Sequence, residues 1–270
     1  MPAAPYIHGT SSGEQTRLGW MNRLLNAREL EAIAPAGGER ALELGAGTGL
    51  FLGALAARLP RGSVLGIERE RAQLETARAS TAGLANVELR QGDVLDPPLG
   101  GGEWGSFDLV HARFLLEHLT QPAEAVAVMA RAVRPGGHVV LADDDHDTIR
   151  VWPAAPAFER LWRAYCEQYT LRGMDPWIGR RLTGLLAGAG LRPVRTELLF
   201  FGACAGMEIF PVAVANQEGV VAGAAEDILR SGTLDEAAVR AGLSEIRTWA
   251  QRPDAALWYG VPFAVGRRTV

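Results

Sequence analysis

Short apolar runs alternate with stretches of helical period along the first half of the chain. "RALELG" (40–45) reads as a strand and "LFLGALAARL" (50–59) as a helix; "SVLGIE" (63–68) is a second strand, followed by a polar helix through "RERAQLETARAS" (69–80). "NVELRQGDV" (86–94) and "FDLVHA" (107–112) give a third and fourth strand, "AEAVAVMARAV" (123–133) a helix, and "GHVVLADD" (137–144) a fifth strand. Val, Leu and Ile runs with little alternation, separated by helices, predict parallel strands covered on both faces. The expected fold class is therefore α/β: a doubly wound, mostly parallel, Rossmann-like sheet, with residues 37–150 as its core.

The second half is less regular. "AFERLWRAYCEQYTL" (157–171) sets Phe158, Leu161, Trp162, Tyr165 and Tyr169 at helical spacing, and "WIGRRLTGLLAGAG" (177–190) ends in glycine as a helix C-cap does. "RPVRTELLFFG" (192–202) and "ALWYGVPFAVGRR" (256–268) read as strands around a helical insert, adding an antiparallel edge that brings the sheet to seven strands. Residues 151–270 then complete the sheet within a single domain. Near the N-terminus, Leu18, Met21, Leu24 and Leu25 form an apolar helical stripe.

Composition narrows the function. With 270 residues, 48% hydrophobic and 21% charged, the chain can bury one substantial core. A net charge of -4 lacks the footprint of a nucleic-acid binder. No apolar run approaches the roughly 20 residues needed to cross a bilayer, and "MPAAPYIHGTSSGEQ" lacks the marks of a signal peptide, so a cytoplasmic protein without a membrane partner is expected. Cys166 and Cys204 lie in apolar or aromatic surroundings without CxxC spacing, and packing roles in the reduced state are expected for both. All 27 basic residues are arginine, which excludes a Schiff-base lysine and a P-loop lysine.

The chemistry gathers at "ALELGAGTGLF" (41–51). In an open α/β sheet ligands bind at the carboxyl ends of the strands, and Gly45, Gly47 and Gly49 stand at the first such end. A tight strand-to-helix turn needs glycine with or without a ligand. A dinucleotide fingerprint GxGxxG would want glycine or alanine where Leu50 or Leu52 stands. The pattern that fits is an acid, Glu43, two residues ahead of GxGxG.

These residues resemble the first motif of the class I S-adenosylmethionine-dependent methyltransferases, and "VLGIERE", "LRQGDV", "FDLVHARFLLEHL" and "RAVRPGGHVVLADDD" extend the resemblance in order over residues 38–145. It implies S-adenosylmethionine as cofactor, with S-adenosylhomocysteine as product. Gly45, Ala46, Gly47 and Gly49 would cradle it, Glu68 with Arg69 beside it would meet the ribose, and Asp93 and Val94 the adenine. His111, Ala112 and Arg113 would lie along the methionine part. Their backbone carbonyls would take its ammonium group, leaving side-chain identity of little weight.

Physical chemistry supports several of these positions without the family. A carboxylate at Glu68 can accept from a cis-diol. Asp93 can contact adenine or cap a turn before Pro97 and Pro98. Glu43 can orient backbone donors and offset a sulfonium charge. Tyr6 and Arg17, in a helical lid over residues 1–36, are candidates for the cofactor carboxylate or plain surface residues.

Methyl transfer needs alignment in a dry pocket, and a general base helps a hydroxyl or ammonium nucleophile. The catalytic candidates are Asp144, His146 and His118, although His118 can equally just end a helical turn. The run "DDDHD" (143–147) reads as an acidic pocket for an amine, a divalent-ion site or a solvated loop; no metal ligand set is assigned. The resemblance makes residues 151–270 the place for substrate-lid insertions, with the aromatic stripe divided between lid and core. The expected partner is a small organic molecule of quinone or natural-product type, nitrogen slightly favoured over oxygen or carbon as acceptor. A homodimer is left open. The alternatives are an NAD(P)-dependent oxidoreductase and a non-catalytic cofactor-binding protein.

Overall fold

The computed structural model describes residues 25–269, which divide into two compact units. The larger unit comprises residues 25–144, 177–199 and 261–269, and the smaller one residues 145–176 and 200–260.

The larger unit begins with helix α1, described over residues 25–33. There follow β1 (Arg40–Leu44), α2 (Leu50–Ala57), β2 (Ser63–Glu68), α3 (Arg71–Ser80), β3 (Val87–Gln91), β4 (Phe107–Arg113), α4 (Pro122–Ala132) and β5 (Val133–Ala142). The parallel strands stand in the order β3-β2-β1-β4-β5. β1 thus has β2 on one side and β4 on the other, which makes the β1/β4 boundary the switch point of the winding. Leu42 pairs in register with Leu65 and with Val110, and Leu42, Leu44, Ile67, Val110 and Leu141 join one continuous core. Pro122 at the first turn of α4 suits a position whose N–H has no helical acceptor.

The antiparallel edge is present. The final strand β8 (Ala256–Arg267) pairs antiparallel with β5, from His138↔Arg267 to Ala142↔Phe263, and β7 (Arg192–Cys204) pairs with β8. Expected element bounds shift where side chains intervene. β5 stops at Ala142, and β3 stops at Gln91, ahead of an Asx turn at Asp93. The predicted helix 177–190 splits into a 3-10 turn, Ile178–Arg181, and α6 (Leu182–Gly188).

In the smaller unit, α5 (Pro156–Leu171), α7 (Phe210–Gly223), α8 (Ala225–Ser231) and α9 (Glu236–Trp249) form the helical part. An eighth strand, β6 (Arg150–Trp152), pairs antiparallel with Ala256–Trp258 of β8. Three residues carry too little alternation to be read from sequence. The aromatic stripe of α5 lies in the core: Phe158, Leu161, Trp162, Tyr165 and Tyr169 are all buried. Trp249 closes α9 by donating from Nε1 to the carbonyl of Pro153 at 2.7 Å. Cys166 is buried as expected, whereas Cys204, at the end of β7, is exposed, because the strand's alternation turns its neighbour Ala203 inward instead.

Helices α5 and α9 meet at Gly242. A Cβ there would lie 2.8 Å from Leu161 Cβ and 2.9 Å from the Ala157 carbonyl oxygen. Gly242→Ala is expected to destabilise the protein by about 1–3 kcal/mol through forced separation of the helices. Urea denaturation checks this; an unchanged midpoint contradicts it.

Candidate functional site

The turn from β1 to α2 lies at the switch point, and its backbone explains its glycines. Gly45, Gly47 and Gly49 all have positive φ, at 76°, 54° and 77°, a region costly for any residue with a Cβ. Crowding adds to this at Gly49, where a Cβ would meet Ser80 Oγ at 2.9 Å. The amides of Gly45 and Ala46 both donate to the carbonyl of Ile67 on β2, at 2.9 and 3.0 Å.

Glu68, at the end of β2, is buried, and both its oxygens hold backbone. Oε2 accepts from the Gly47 amide and Oε1 from the Glu70 amide, each at 2.8 Å. One carboxylate therefore fixes the glycine turn to the start of α3. Arg69 is exposed and pairs with Glu70 at 3.1 Å. Asp93 is exposed beyond β3 and caps its own turn, Oδ1 accepting from Leu95 N at 2.9 Å, which is the turn-forming reading of this residue. Val94 beside it is buried in the core.

Beneath the turn lies a buried ionic group. Glu43 and His111 are register partners on β1 and β4, and the alternation of β4 places Arg113 on the same face as His111. Glu29, from α1, completes the group. Its Oε1 lies 2.8 Å from His111 Nε2 and its Oε2 accepts from Arg113 Nη1 at 2.8 Å. His111 Nδ1 faces Glu43 Oε1 at 3.7 Å, while Glu43 Oε2 is buried with no hydrogen-bond partner. Phe51 stacks on the imidazole with centroids 4.2 Å apart and lies under the Arg113 guanidinium. Burial alone would depress His111, but the Glu29 and Glu43 carboxylates push it up to about 9. Burial works on Glu29 too, and Arg113 and His111 overcome it, holding the carboxyl below its ordinary value. At Glu43 burial prevails, and its pKa is raised.

This corrects the expectation that side chains at 111–113 carry little weight. His111 and Arg113 are committed to Glu29 because the strand aims them at α1, while Ala112 packs into the core on the opposite face. Glu43 faces His111 across the β1–β4 register.

The acidic run does not form a solvated loop. Asp143 is fully buried and accepts from the amides of Leu115, Leu116 and Glu117, at 3.1, 2.7 and 3.4 Å, so it anchors the 3-10 turn Leu116–His118 after β4. Burial, reinforced by the neighbouring Asp144 charge, raises Asp143 to about 7. Asp144 is half-buried, with its amide on Asp143 Oδ1 at 3.1 Å. His118 ends the 3-10 turn, and its Nε2 lies 3.4 Å from Glu117 Oε1.

In the smaller unit, Asp145 caps the short 3-10 turn His146–Thr148, Oδ1 accepting from Asp147 N at 3.2 Å. His146 is buried in an aromatic setting. Its Nδ1 lies 3.1 Å from the Tyr259 hydroxyl, and the rings of Trp162, Tyr165 and Tyr169 stand 5.2 to 5.5 Å from it. Trp162 Nε1 also donates to the His146 carbonyl at 2.9 Å, so ring and backbone are both held. Tyr6 and Arg17 lie outside the described residues. Glu29 and Tyr259 escaped sequence reading, since each meets its histidine only through the fold.

The turn fits an adenosyl cofactor on two counts: a backbone bare of side chains at three alternating residues, and a buried acidic oxygen beneath it without a partner. Comparison with known proteins agrees. A family model described as a methyltransferase domain matches residues 42–139. An uncharacterised 37.1 kDa protein of transposon Tn4556 from Streptomyces fradiae is 36% identical over 163 residues, covering 60% of this chain and 46% of that one. A trans-aconitate 2-methyltransferase from Deinococcus radiodurans is 30% identical over 204 residues, covering 72% and 71%. The chain spans about half the length of the first curated relatives it matches. Among solved structures, a geranyl diphosphate methyltransferase superposes with a TM-score of 0.54 at 17% identity, covering 97% of this chain and 92% of that one, a likeness of fold.

The ionic group makes a stability prediction. A histidine whose folded pKa is raised from 6.5 to about 9 contributes stability that is complete below pH 6.5 and lost as pH rises through 9. Wild-type stability is expected to fall across that window. Glu29→Gln should lower stability by about 3–5 kcal/mol at pH 7 and flatten the fall. Chemical denaturation at several pH values checks both; equal pH profiles for variant and wild type contradict the pairing.

Proposed function

The chain belongs to the class I S-adenosylmethionine-dependent methyltransferases, and from that premise we propose that it methylates a small organic molecule, with nitrogen slightly favoured as acceptor over oxygen or carbon. The observation that carries the reading is the turn at 45–49, with three positive-φ glycines at the switch point and Glu68 fixed against it. When bound, S-adenosylmethionine supplies a methyl group activated by a positive sulfur.

The chain's own residues have distinct tasks in this reading. Gly45, Ala46, Gly47 and Gly49 let the ligand approach backbone, and Glu68 retains acceptor capacity for the ribose hydroxyls beyond its two amide bonds. Asp93 and Val94 flank the adenine, and the carbonyls at the end of β4 serve the amino-acid end. The β1–β4 register runs only to Glu43↔His111, leaving Ala112 and Arg113 paired with β5 alone. Tyr6 and Arg17 are kept as candidates for the cofactor carboxylate.

His146 is the proposed proton acceptor, since its ring is held by Tyr259 and by packing against Trp162 and Tyr165. Asp144 and His118 supply an anionic and a second basic group at the carboxyl edge of the larger unit's sheet. The slight preference for nitrogen rests on the acidic run, Asp143, Asp144 and Asp145, that follows β5. No described helix is long and apolar enough to cross a membrane, and the net charge of -4 disfavours a nucleic-acid partner; a cytoplasmic location is part of the proposal.

Calorimetry should register binding of S-adenosylmethionine and S-adenosylhomocysteine but not of NADH or NADPH, and Gly47→Val should abolish it; nicotinamide binding alone would favour the oxidoreductase reading. With a panel of small amines and hydroxyl compounds and methyl-labelled cofactor, His146→Ala should lower turnover about 100-fold or more while sparing cofactor affinity. Undiminished turnover in that variant removes His146 from the role.

A further inference from the structure

Seven consecutive residues of β7, Arg192 to Leu198, are exposed, although a strand ordinarily buries alternate side chains against one layer. Inward and outward positions begin to alternate only at Leu199. The exposed stretch lies wholly within the larger unit. Among the described residues β7 pairs with β8 alone, so its other edge has no strand partner and presents backbone donors and acceptors outward.

Natural proteins blunt such edges with proline, bulges or charges that repel a second strand. Pro193 blunts only the start of this one. From Val194 to Leu198 there is neither proline nor glycine, and Val194 and Leu198 are 44% and 56% exposed. The two charges in this stretch, Arg195 and Glu197, are of opposite sign and stand two residues apart, hence on one face of the strand. Arg195 Nε donates to Glu197 at 3.1 Å, and the Arg195 guanidinium lies over the Phe263 ring, 5.3 Å from its centroid.

The spacing of these charges selects the occupant. A second copy meeting this edge antiparallel, about a two-fold axis through Thr196, sets Arg195 opposite the partner's Glu197 and Glu197 opposite the partner's Arg195. The four charges then alternate in sign around the axis. On the other face Val194 meets the partner's Leu198, and Thr196 meets the partner's Thr196. An unrelated strand would need an acid and a base at the same spacing, whereas a copy supplies them by symmetry. We infer that this edge is a self-association surface, on which two copies of the chain pair β7 to β7 about Thr196 and continue one sheet into the next. The inference is independent of the methyltransferase reading, because β4, β5 and β8 stand between β7 and the strand that carries the glycine turn.

Sedimentation equilibrium of the full chain should give twice the mass of one chain. Arg195 and Glu197 are each 41% exposed, so exchanging them leaves the core alone. Arg195→Glu and Glu197→Arg, tested singly, each set like charges opposite one another twice by symmetry and should weaken self-association about tenfold or more. The double exchange, Arg195→Glu with Glu197→Arg, returns opposite signs across the axis and should recover the wild-type dimer. A wild type with the mass of one chain over the whole concentration range, single variants that dimerise as tightly as wild type, or a double exchange as weak as the single variants overturns the inference.

Discussion

The Glu68 carboxylate binds two backbone amides that belong to different elements, Gly47 in the glycine turn and Glu70 at the start of α3. The turn it holds has left-handed backbone at every second residue, a conformation open to glycine and costly to any residue with a Cβ. Support comes from three sides: Glu68, the Ile67 carbonyl that accepts from Gly45 and Ala46, and the close approach of Ser80 and Ala77 to Gly49. Because the turn sits where strand order reverses, the same hydrogen bonds that keep β1 and α2 in place also shape the proposed ligand cradle. In that proposal stability and binding share one set of atoms.

The ionic group beneath the turn follows a different logic. Buried ion pairs seldom add net stability over an apolar replacement, yet removing one partner is costly because the other charge is stranded. What Glu29 contributes is therefore placement: α1 can dock on β4 only where both His111 and Arg113 reach its carboxylate. Helix α1 is thereby fixed to β4, the strand beside the glycine turn's own β1.

The parallel half of the fold was legible because uninterrupted apolar runs and helical period are properties of short windows, and the glycine turn because positive φ leaves a mark on residue type. Glu29 was not legible. Its bond to His111 spans 82 residues, and in the sequence it is one acid in an ordinary amphipathic helix. The same holds for Tyr259, which meets His146 across 113 residues. The acidic run left three alternatives open in the sequence, because only the fold shows that Asp143 is drawn inward to satisfy three amides of the turn after β4 and that Asp145 caps another. β6 was missed because three residues show no period, and Cys204 was misplaced because neighbouring apolar residues say nothing about which strand face meets water.

The central claim is that the turn at 45–49, closed by Glu68, is the cofactor cradle. A crystal structure of the protein with S-adenosylhomocysteine tests it most directly. The ribose is expected against Glu68, the adenine beside Asp93 and Val94, and the amino-acid end at the carbonyls that end β4. Well-ordered ligand seated away from this turn, with Glu68 and the three glycines untouched, would contradict it.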